Sequence, residues 1–340
     1  MPRLRCDGRE LELGPGENVL DALLAAGVAI ASSCRVGACQ ACLVRATGGA
    51  PPAAAQLGLK ESLRAQGYFL ACQATLTEDL ELTARGAAAL EVPARITAIT
   101  ELAPDVLRVL LAPVAPFAYR AGQYLTLVRE DGLARAYSLA SLPERDGGQL
   151  ELHVRVMAGG SMSGWLANRA ALGRTVRLRG PAGECFYTAG QSAQALVLAA
   201  AGTGLAPLWG ILRDALGAKH TGPIELWHGA RNPEGLYLRD ELAQLAAEHA
   251  NFRYQPCVLE GDGRAGVASG RLDELLLRAV PSFAKRRVYL CGDAALVQQL
   301  KRKVFLSGAA LSEIHADAFL GAAPSVAAGT LPSAAASPRP

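Results

Sequence analysis

The sequence has little net charge. Its 34 Lys and Arg nearly balance 31 Asp and Glu, which leaves +3 over 340 residues. Proteins that bind nucleic acids usually concentrate basic residues on one face, so this balance argues against nucleic acid as the main partner. The chain also has no internal repeat, and its 36 Gly are spread along it rather than placed at a fixed period, which excludes a collagen-like fibre.

A long hydrophobic run is also missing. The longest apolar stretch, 195–212, is interrupted by three Gly and one Pro, whereas a membrane span needs about 20 apolar residues. The apolar segment 20–31 contains Asp21, and the start before it carries acids and alternates like a strand, unlike the basic start of a secretion signal. We therefore expect no membrane contact and a cytoplasmic location, where cysteines stay reduced and a disulfide framework is disfavoured.

The patterning predicts three domains and a tail. Residues 1–88 combine short strands, one helix and a cysteine-rich loop, which indicates a small α+β unit. Residues 93–191 contain many short strands, typical of an antiparallel barrel. Residues 192–320 alternate strands and helices, including a helix over 235–248, which predicts a parallel sheet. Residues 321–340 are rich in Ala, Pro and Ser, and we expect them to be disordered.

Four of the eight cysteines follow the spacing C-x4-C-x2-C-x29-C, which is typical of a plant-type 2Fe-2S cluster held by four thiolates. Gly37 lies where the loop backbone must pass close to an inorganic sulfide. A zinc site is the alternative, but zinc ribbons prefer two C-x2-C pairs and only one is present. Three other cysteines have no partner spacing, and we expect them to be packing residues: Cys6, Cys185 and Cys257. The expected cluster ligands are Cys34, Cys39, Cys42 and Cys72.

Two further motifs lie in the barrel region. In the predicted strand RAYSLAS, Arg135 and Tyr137 share one face and Ser138 points to the other. The segment AGGSMSGWL joins a strand to a helix, and its small residues would leave free amides that suit a pyrophosphate. A plain helix cap by Ser161 or Ser163 is the alternative for this second motif.

In the predicted parallel sheet, a buried strand runs through Gly202, Thr203 and Gly204 into a helix with Pro207 on its first turn. Glycines there would let a diphosphate approach the helix N-terminus. A second buried strand ends at Cys291 and Gly292, at the sheet edge where ligands of open α/β sheets bind. The two motifs together indicate a nucleotide site, although Cys291 alone could be a packing residue.

The motifs in this order, C-x4-C-x2-C…C, R-x-Y-S, G-x-M-S, G-T-G-x-A-P, C-G-D and ADAF, resemble the ferredoxin–NAD(P)H reductase superfamily. More narrowly, they are similar to the reductase components of bacterial multicomponent oxygenases that carry an N-terminal plant-type ferredoxin. The resemblance covers about residues 1–320. It implies a multidomain α+β and α/β fold with a β-grasp ferredoxin domain, an antiparallel β-barrel flavin domain and a Rossmann-like nucleotide domain.

The resemblance also implies roles for the flavin-site residues. Arg135 would bind a flavin phosphate, Tyr137 would pack on the isoalloxazine ring, and Ser138 would hydrogen-bond near the flavin N5 atom. The FAD pyrophosphate would be held by four consecutive residues: Gly160, Ser161, Met162 and Ser163.

For the nicotinamide nucleotide, the resemblance implies a cradle for the diphosphate made of Gly202, Thr203, Gly204 and Pro207. Cys291, followed by Gly292, would lie beside the nicotinamide. Asp317 and Phe319 match the family's C-terminal acid and aromatic, and the aromatic would cover the flavin face that the nicotinamide must reach. Ser138, Cys291, Asp317 and Phe319 are thus the candidate catalytic residues. Two features depart from the family: Asp293 stands where Pro is common, and the chain continues past Phe319.

These expectations describe an electron-transfer reductase that passes electrons from NADH through FAD and a 2Fe-2S cluster to an oxygenase component or its ferredoxin. We expect a monomer whose ferredoxin domain pivots on the 87–93 linker. Arg231 follows a predicted strand where a cation could meet a 2′-phosphate, so NADPH is the alternative coenzyme.

Two other functions remain: a similar reductase for a non-oxygenase partner such as a deoxysugar dehydratase, and a non-catalytic iron–sulfur carrier or sensor. The flavin and nucleotide motifs argue against the carrier, which needs no hydride donor.

Overall fold

The fold is taken from a computed structural model that describes residues 1–84, 86, 90–168, 170–261 and 266–320. The whole tail expected to be disordered, residues 321–340, and residues 87–89 of the expected pivot lie outside this described part.

A mixed five-stranded sheet with a β-grasp arrangement forms the N-terminal part. Its strands are β1 (Arg3–Cys6), β2 (Arg9–Glu12), β3 (Leu43–Gly48), β4 (Tyr68–Leu70) and β5 (Leu80–Thr83), in the order β2-β1-β5-β3-β4. Two helices accompany it, α1 (Val19–Ala25) and α2 (Glu61–Ala65). Asn18 begins α1, because its side chain accepts a hydrogen bond from the Leu20 amide, and it also donates to the Cys72 carbonyl. The helix cap thereby fixes one predicted cluster ligand.

An antiparallel barrel follows. It contains β6 (Val92–Ala103), β7 (Val106–Pro113), β8 (Tyr124–Val128), β9 (Ala134–Ser138), β10 (Leu150–Arg155) and β11 (Thr175–Ala182), in the order β10-β7-β6-β11-β8-β9. A bridge between Leu139 and Leu152 joins the two edges of this sheet and closes the barrel. The single helix α3 (Ser161–Ala167) buries Met162 and Leu166 in the barrel core.

The C-terminal part is a parallel six-stranded sheet. The strands are β12 (Leu196–Ala201), β13 (Ile224–Ala230), β14 (Phe252–Val258), β15 (Ala268–Ser269), β16 (Arg287–Asp293) and β17 (Ile314–Phe319), in the order β15-β14-β13-β12-β16-β17. The connecting helices are α4 (Leu205–Gly217), α5 (Arg239–Glu248), α6 (Leu272–Ala279) and α7 (Ala294–Leu306). The strand order reverses between β12 and β16, which is where ligands of such sheets bind.

One helix differs from its prediction. α5 begins at Arg239, not at Gly235, because Pro233–Gly235 form a 3₁₀ turn and Leu238 adopts a left-handed conformation with φ of 55°. That conformation is unfavourable inside a helix.

The three sheets fall in the order of the three predicted domains, while the boundaries near 88 and 192 stay predictions. Within the described residues, no helix combines the length and the apolar character that crossing a membrane requires.

Phe283 tests the packing of the parallel sheet. Its ring is fully buried between the sheet and its helices, so Phe283→Ala should lower the stability of this part by about 3–5 kcal/mol. Urea unfolding followed by the fluorescence of Trp209 and Trp227 measures the loss. Phe305→Ala is the matched control, because this ring on α7 is 46% exposed. Equal losses in the two variants would contradict this packing.

Candidate functional site

The two predicted nucleotide motifs meet at the point where the strand order reverses. A Cβ on Gly204 would overlap the Cys291 carbonyl oxygen, so only glycine allows the turn between β12 and α4 to approach β16 this closely. Gly202 and Gly292 have φ of 55° and 136°, which also favour glycine. No side chain caps the N-terminus of α4, and Pro207 lies on its first turn. The 3₁₀ turn Gly202–Gly204 leads directly into α4, and this glycine-lined helix start without a side-chain cap fits a diphosphate.

Arg155 contacts this turn, although nothing in the sequence predicts it as a site residue. Its guanidinium lies 2.8 Å from the position that a Cβ on Gly202 would take, and it forms an ion pair of 3.1 Å with Asp105. Arg155 belongs to β10 of the barrel, so a cation from the second domain faces the nucleotide turn of the third. Neither its neighbours in sequence nor its spacing signals this placement.

The strand β9 carries the predicted flavin residues. Arg135 and Tyr137 share one face, and the Arg135 guanidinium donates to the carbonyl of Ala134 at 2.7 Å. The Tyr137 ring is partly buried, and its burial raises the pKa of the phenol. A cation and a partly exposed ring on one face fit the phosphate and the aromatic system of a flavin.

Beside β9, the N-terminus of α3 presents backbone amides. Gly160 is its N-cap and no side chain caps it, so the plain cap by Ser161 or Ser163 is not what forms. The Ser163 hydroxyl instead accepts a hydrogen bond from the Met157 amide at 3.1 Å and fixes the approach of the chain. The side chain of Met162 is buried in the barrel core, which leaves only its backbone for a ligand.

The catalytic candidates come together across two domains. The Ser138 hydroxyl donates to Asp317 Oδ2 at 2.7 Å, and Asp317 lies opposite Cys291 in the pairing of β16 with β17. Burial raises the pKa of the Asp317 carboxyl, while the hydrogen bond from Ser138 opposes this rise. Phe319 lies two residues further along β17 and so shares the face of Asp317.

Two residues next to these catalytic candidates have roles that were not predicted. Cys185 Sγ lies 3.7 Å from Cys291 Sγ, so Cys185 contacts the site, whereas Cys6 and Cys257 are simply buried as predicted. Burial raises the pKa of the Cys291 thiol. Asp293, the departure from the family pattern, caps α7 by accepting from the amides of residues 295 and 296.

The four predicted cluster ligands are buried and form two pairs. The Cys34 and Cys39 amides each approach the other residue's sulfur, at 3.5 and 3.3 Å, and the Cys72 amide lies 3.5 Å from Cys42 Sγ. A hydrogen bond from Cys39 lowers the pKa of Cys34 to about 5, and one from Cys42 lowers the pKa of Cys72 to about 6.

This donor set fits a two-iron cluster, in which each iron takes two thiolates. Gly37 has φ of 81°, which lets the loop turn between the ligands of the first pair. Over the residues that the structure describes, no three His, Cys, Asp or Glu side chains gather around one point as a single metal ion requires. The pairs are therefore a poorer match for the zinc alternative.

The first cysteine pair packs against the flavin barrel. Cys34 and Cys39 pack with Val128 of β8 and Ala134 of β9 in a small buried apolar contact. Because Ala134 begins the strand that Ser138 ends, the cluster loop and the catalytic candidates meet the same five-residue strand.

Arg231 follows β13 directly, as expected. Its side chain is 76% exposed and lies 3.6 Å from the carboxylate of Glu260. This neighbour partly offsets the positive charge that a 2′-phosphate would need.

Three family models match the chain in sequence order. They are the 2Fe-2S iron-sulfur cluster binding domain over residues 4–77, the oxidoreductase FAD-binding domain over 93–187 and the oxidoreductase NAD-binding domain over 198–302. Each range covers most of one sheet; the first ends before β5 and the third before β17.

Relatives match over nearly the whole chain. The reductase component of the naphthalene 1,2-dioxygenase/salicylate 5-hydroxylase systems of a Ralstonia species is 34% identical over 89% of this chain and 94% of its own length. The CDP-6-deoxy-L-threo-D-glycero-4-hexulose-3-dehydrase reductase of Yersinia pestis is 28% identical over 89% and 93%.

Among solved structures, an Amycolatopsis cytochrome P450 reductase superposes with a TM-score of 0.68 and 32% identity, over 94% of this chain and 99% of the other. The sites, the domain order and these relatives agree. The chain belongs to the ferredoxin–NAD(P)⁺ reductase components of oxygenase systems, oxidoreductases that use FAD, a nicotinamide nucleotide and a 2Fe-2S cluster.

Proposed function

We propose that this chain takes electrons from NADH and delivers them through FAD and the 2Fe-2S cluster to an oxygenase component or its intermediate ferredoxin. When bound, FAD accepts a hydride and gives up electrons singly, which suits a one-electron cluster. The observation that supports this order is the position of β9. Its Ala134 end contacts the cluster loop and its Ser138 end contacts Asp317 of the nucleotide domain.

We assign the nicotinamide nucleotide to the β12–α4 turn. Gly202, Thr203, Gly204 and Pro207 would admit the diphosphate to the amides of α4, and Arg155 would contribute the neutralising charge. Cys291, Gly292 and Asp317 would border the nicotinamide. The hydrogen bond to Asp317 would hold the Ser138 hydroxyl in a fixed orientation, near the flavin atom that accepts the hydride.

The flavin would lie along β9 and α3. Arg135 would bind its phosphate and Tyr137 would pack against its ring. The amides of residues 161–163 would hold the pyrophosphate, and Gly160, whose amide donates to the Met157 carbonyl at 2.9 Å, would shape the turn before them. Phe319 would cover the ring face that the nicotinamide approaches. The cluster would be held by one cysteine pair on each iron: Cys34 with Cys39, and Cys42 with Cys72.

A reductase that serves a dehydratase is the second candidate function, which the similarity to the Yersinia pestis dehydrase reductase favours. Both candidates share every step up to the cluster and differ only in the acceptor. We further propose that the chain acts as a cytoplasmic monomer. None of its eight cysteines, all of which the structure describes, forms a disulfide, which fits a reducing compartment.

The cluster assignment predicts the behaviour of Cys39→Ser. This variant should lose NADH-driven reduction of cytochrome c through the cluster, while NADH still bleaches the flavin absorbance. Cys6→Ser is the matched control, because Cys6 is buried in the same domain outside the cysteine pairs. Unchanged cytochrome c reduction in Cys39→Ser would contradict the assignment.

The nucleotide assignment predicts the behaviour of Gly204→Ala. The added methyl would push the turn away from the Cys291 carbonyl and misplace its amides, so we expect the KM for NADH to rise about tenfold, or about 1.4 kcal/mol of binding, while FAD content stays normal. Gly164→Ala should leave KM unchanged, since a Cβ there meets no atom within 4 Å. Steady-state ferricyanide reduction measures both variants. An unchanged KM in Gly204→Ala would place the nucleotide elsewhere.

The coenzyme preference predicts a higher kcat/KM with NADH than with NADPH. Glu260→Gln would free Arg231 and should raise kcat/KM for NADPH up to about fivefold, the range of one exposed ion pair, with little change for NADH. Glu248→Gln, an exposed acid at the end of α5, is the control. A preference for NADPH in the unmodified protein would overturn this choice.

A further inference from the structure

Three side chains of the flavin barrel bind the backbone of the cluster loop. The Tyr124 hydroxyl donates to the Ala38 carbonyl, and the Thr126 hydroxyl donates to the Cys39 carbonyl at 2.7 Å. Arg179 donates through Nη1 to the Ala41 carbonyl at 2.5 Å, with a longer contact of 3.5 Å to Gln40. Four consecutive loop carbonyls, one of them on a cluster ligand, thus accept from strands β8 and β11.

Arg179 is buried and is itself held in place. Its second guanidinium nitrogen lies 2.6 Å from Glu91, and Glu91 also pairs with Arg177 at 2.9 Å. The side chain of Arg179 is 9% exposed and that of Glu91 is 4% exposed, whereas Arg177 is 41% exposed and, among the residues that the structure describes, pairs with Glu91 alone. Burying this charge is costly unless both partners stay in place, so the pair has one favourable geometry.

The rest of this interface is loosely packed. The apolar contact consists of small side chains, and next to it lies a crevice of about 680 Å³ between the first sheet and the barrel. Arg179 lines this crevice, and its buried Nε atom has no hydrogen-bond partner within the described part of the chain. Directed hydrogen bonds, more than packing, therefore fix where the cluster loop lies on the barrel.

We propose that Arg179, aided by Thr126, is a positioning residue that seats the cluster loop on β8 and β9 and so sets the electron-transfer distance from flavin to cluster. This inference rests on the proposed function. Neither side chain belongs to the hydride-transfer site, so the first step, reduction of the flavin by NADH, is independent of both. The rate of the second step, electron transfer from flavin to cluster, depends on where the cluster loop lies on the barrel.

Anaerobic stopped-flow mixing of the holoprotein with NADH separates the two steps by their absorbance. In Arg179→Gln and in Thr126→Val, flavin reduction should stay within about twofold of the unmodified protein. Reduction of the cluster should slow about tenfold or more in Arg179→Gln, because small misplacements of reacting groups cost up to about 10²-fold. Thr126→Val should slow it by a smaller factor, and Arg179→Lys should recover part of the rate.

Hydrogen–deuterium exchange supplies a readout that is independent of turnover. Peptides covering residues 34–42 and 124–128 should exchange faster in Arg179→Gln, while peptides from the parallel sheet stay unchanged. Arg177→Gln is the matched control, since it removes the other partner of Glu91 and no contact to the loop. It should leave both the cluster rate and the exchange of the loop unchanged.

The proposal is overturned if the cluster is reduced at the normal rate in both Arg179→Gln and Thr126→Val, or if Arg177→Gln slows it equally. If Arg179→Gln fails to retain its cluster, Thr126→Val alone tests the proposal, because Val has nearly the shape of Thr and lacks only the hydroxyl that donates to Cys39. A different result, an unmodified protein whose cluster NADH cannot reduce, would refute the proposed function instead.

Discussion

The hydrogen bond from Ser138 to Asp317 joins residues that lie 179 positions apart, and the functional site depends on it. Asp317 is the acid of β17, whose place is fixed by its pairing with β16 and Cys291. The bond therefore brings the edge of the parallel sheet to the flavin strand. Arg155 at Gly202 and the ion pair of Arg213 with Asp146 hold the same two domains together, and the bond from Ser138 adds a direct link between the flavin strand and a catalytic candidate of the parallel sheet.

The same strand meets the first domain at its other end. Neighbouring residues of a strand are about 3.3 Å apart, so Ala134 and Ser138 are separated by roughly 13 Å. The cluster loop contacts one of these positions and the nucleotide domain contacts the other. A flavin bound along β9 would thus lie between its electron donor and its acceptor, and the short strand would keep both transfers short.

The sequence predicts the features that depend on local spacing. The cysteine pattern, the three-part order of sheets and the glycines at the switch point are all visible in stretches of a few residues. Contacts between domains are not visible in this way. Arg155 reaches Gly202, Cys185 reaches Cys291, and Arg179 reaches the cluster loop only because separate domains pack together. Their own sequence neighbourhoods look like ordinary strands or turns.

The central claim is that electrons from NADH pass through the flavin to the cluster within one chain. The most direct test is rapid freeze-quench EPR after anaerobic mixing of the holoprotein with NADH, with flavin absorbance recorded in parallel. If electrons take this route, the signal of the reduced cluster grows as electrons leave the reduced flavin. Flavin that is fully reduced beside a cluster that stays oxidised, although dithionite reduces that cluster, would contradict it.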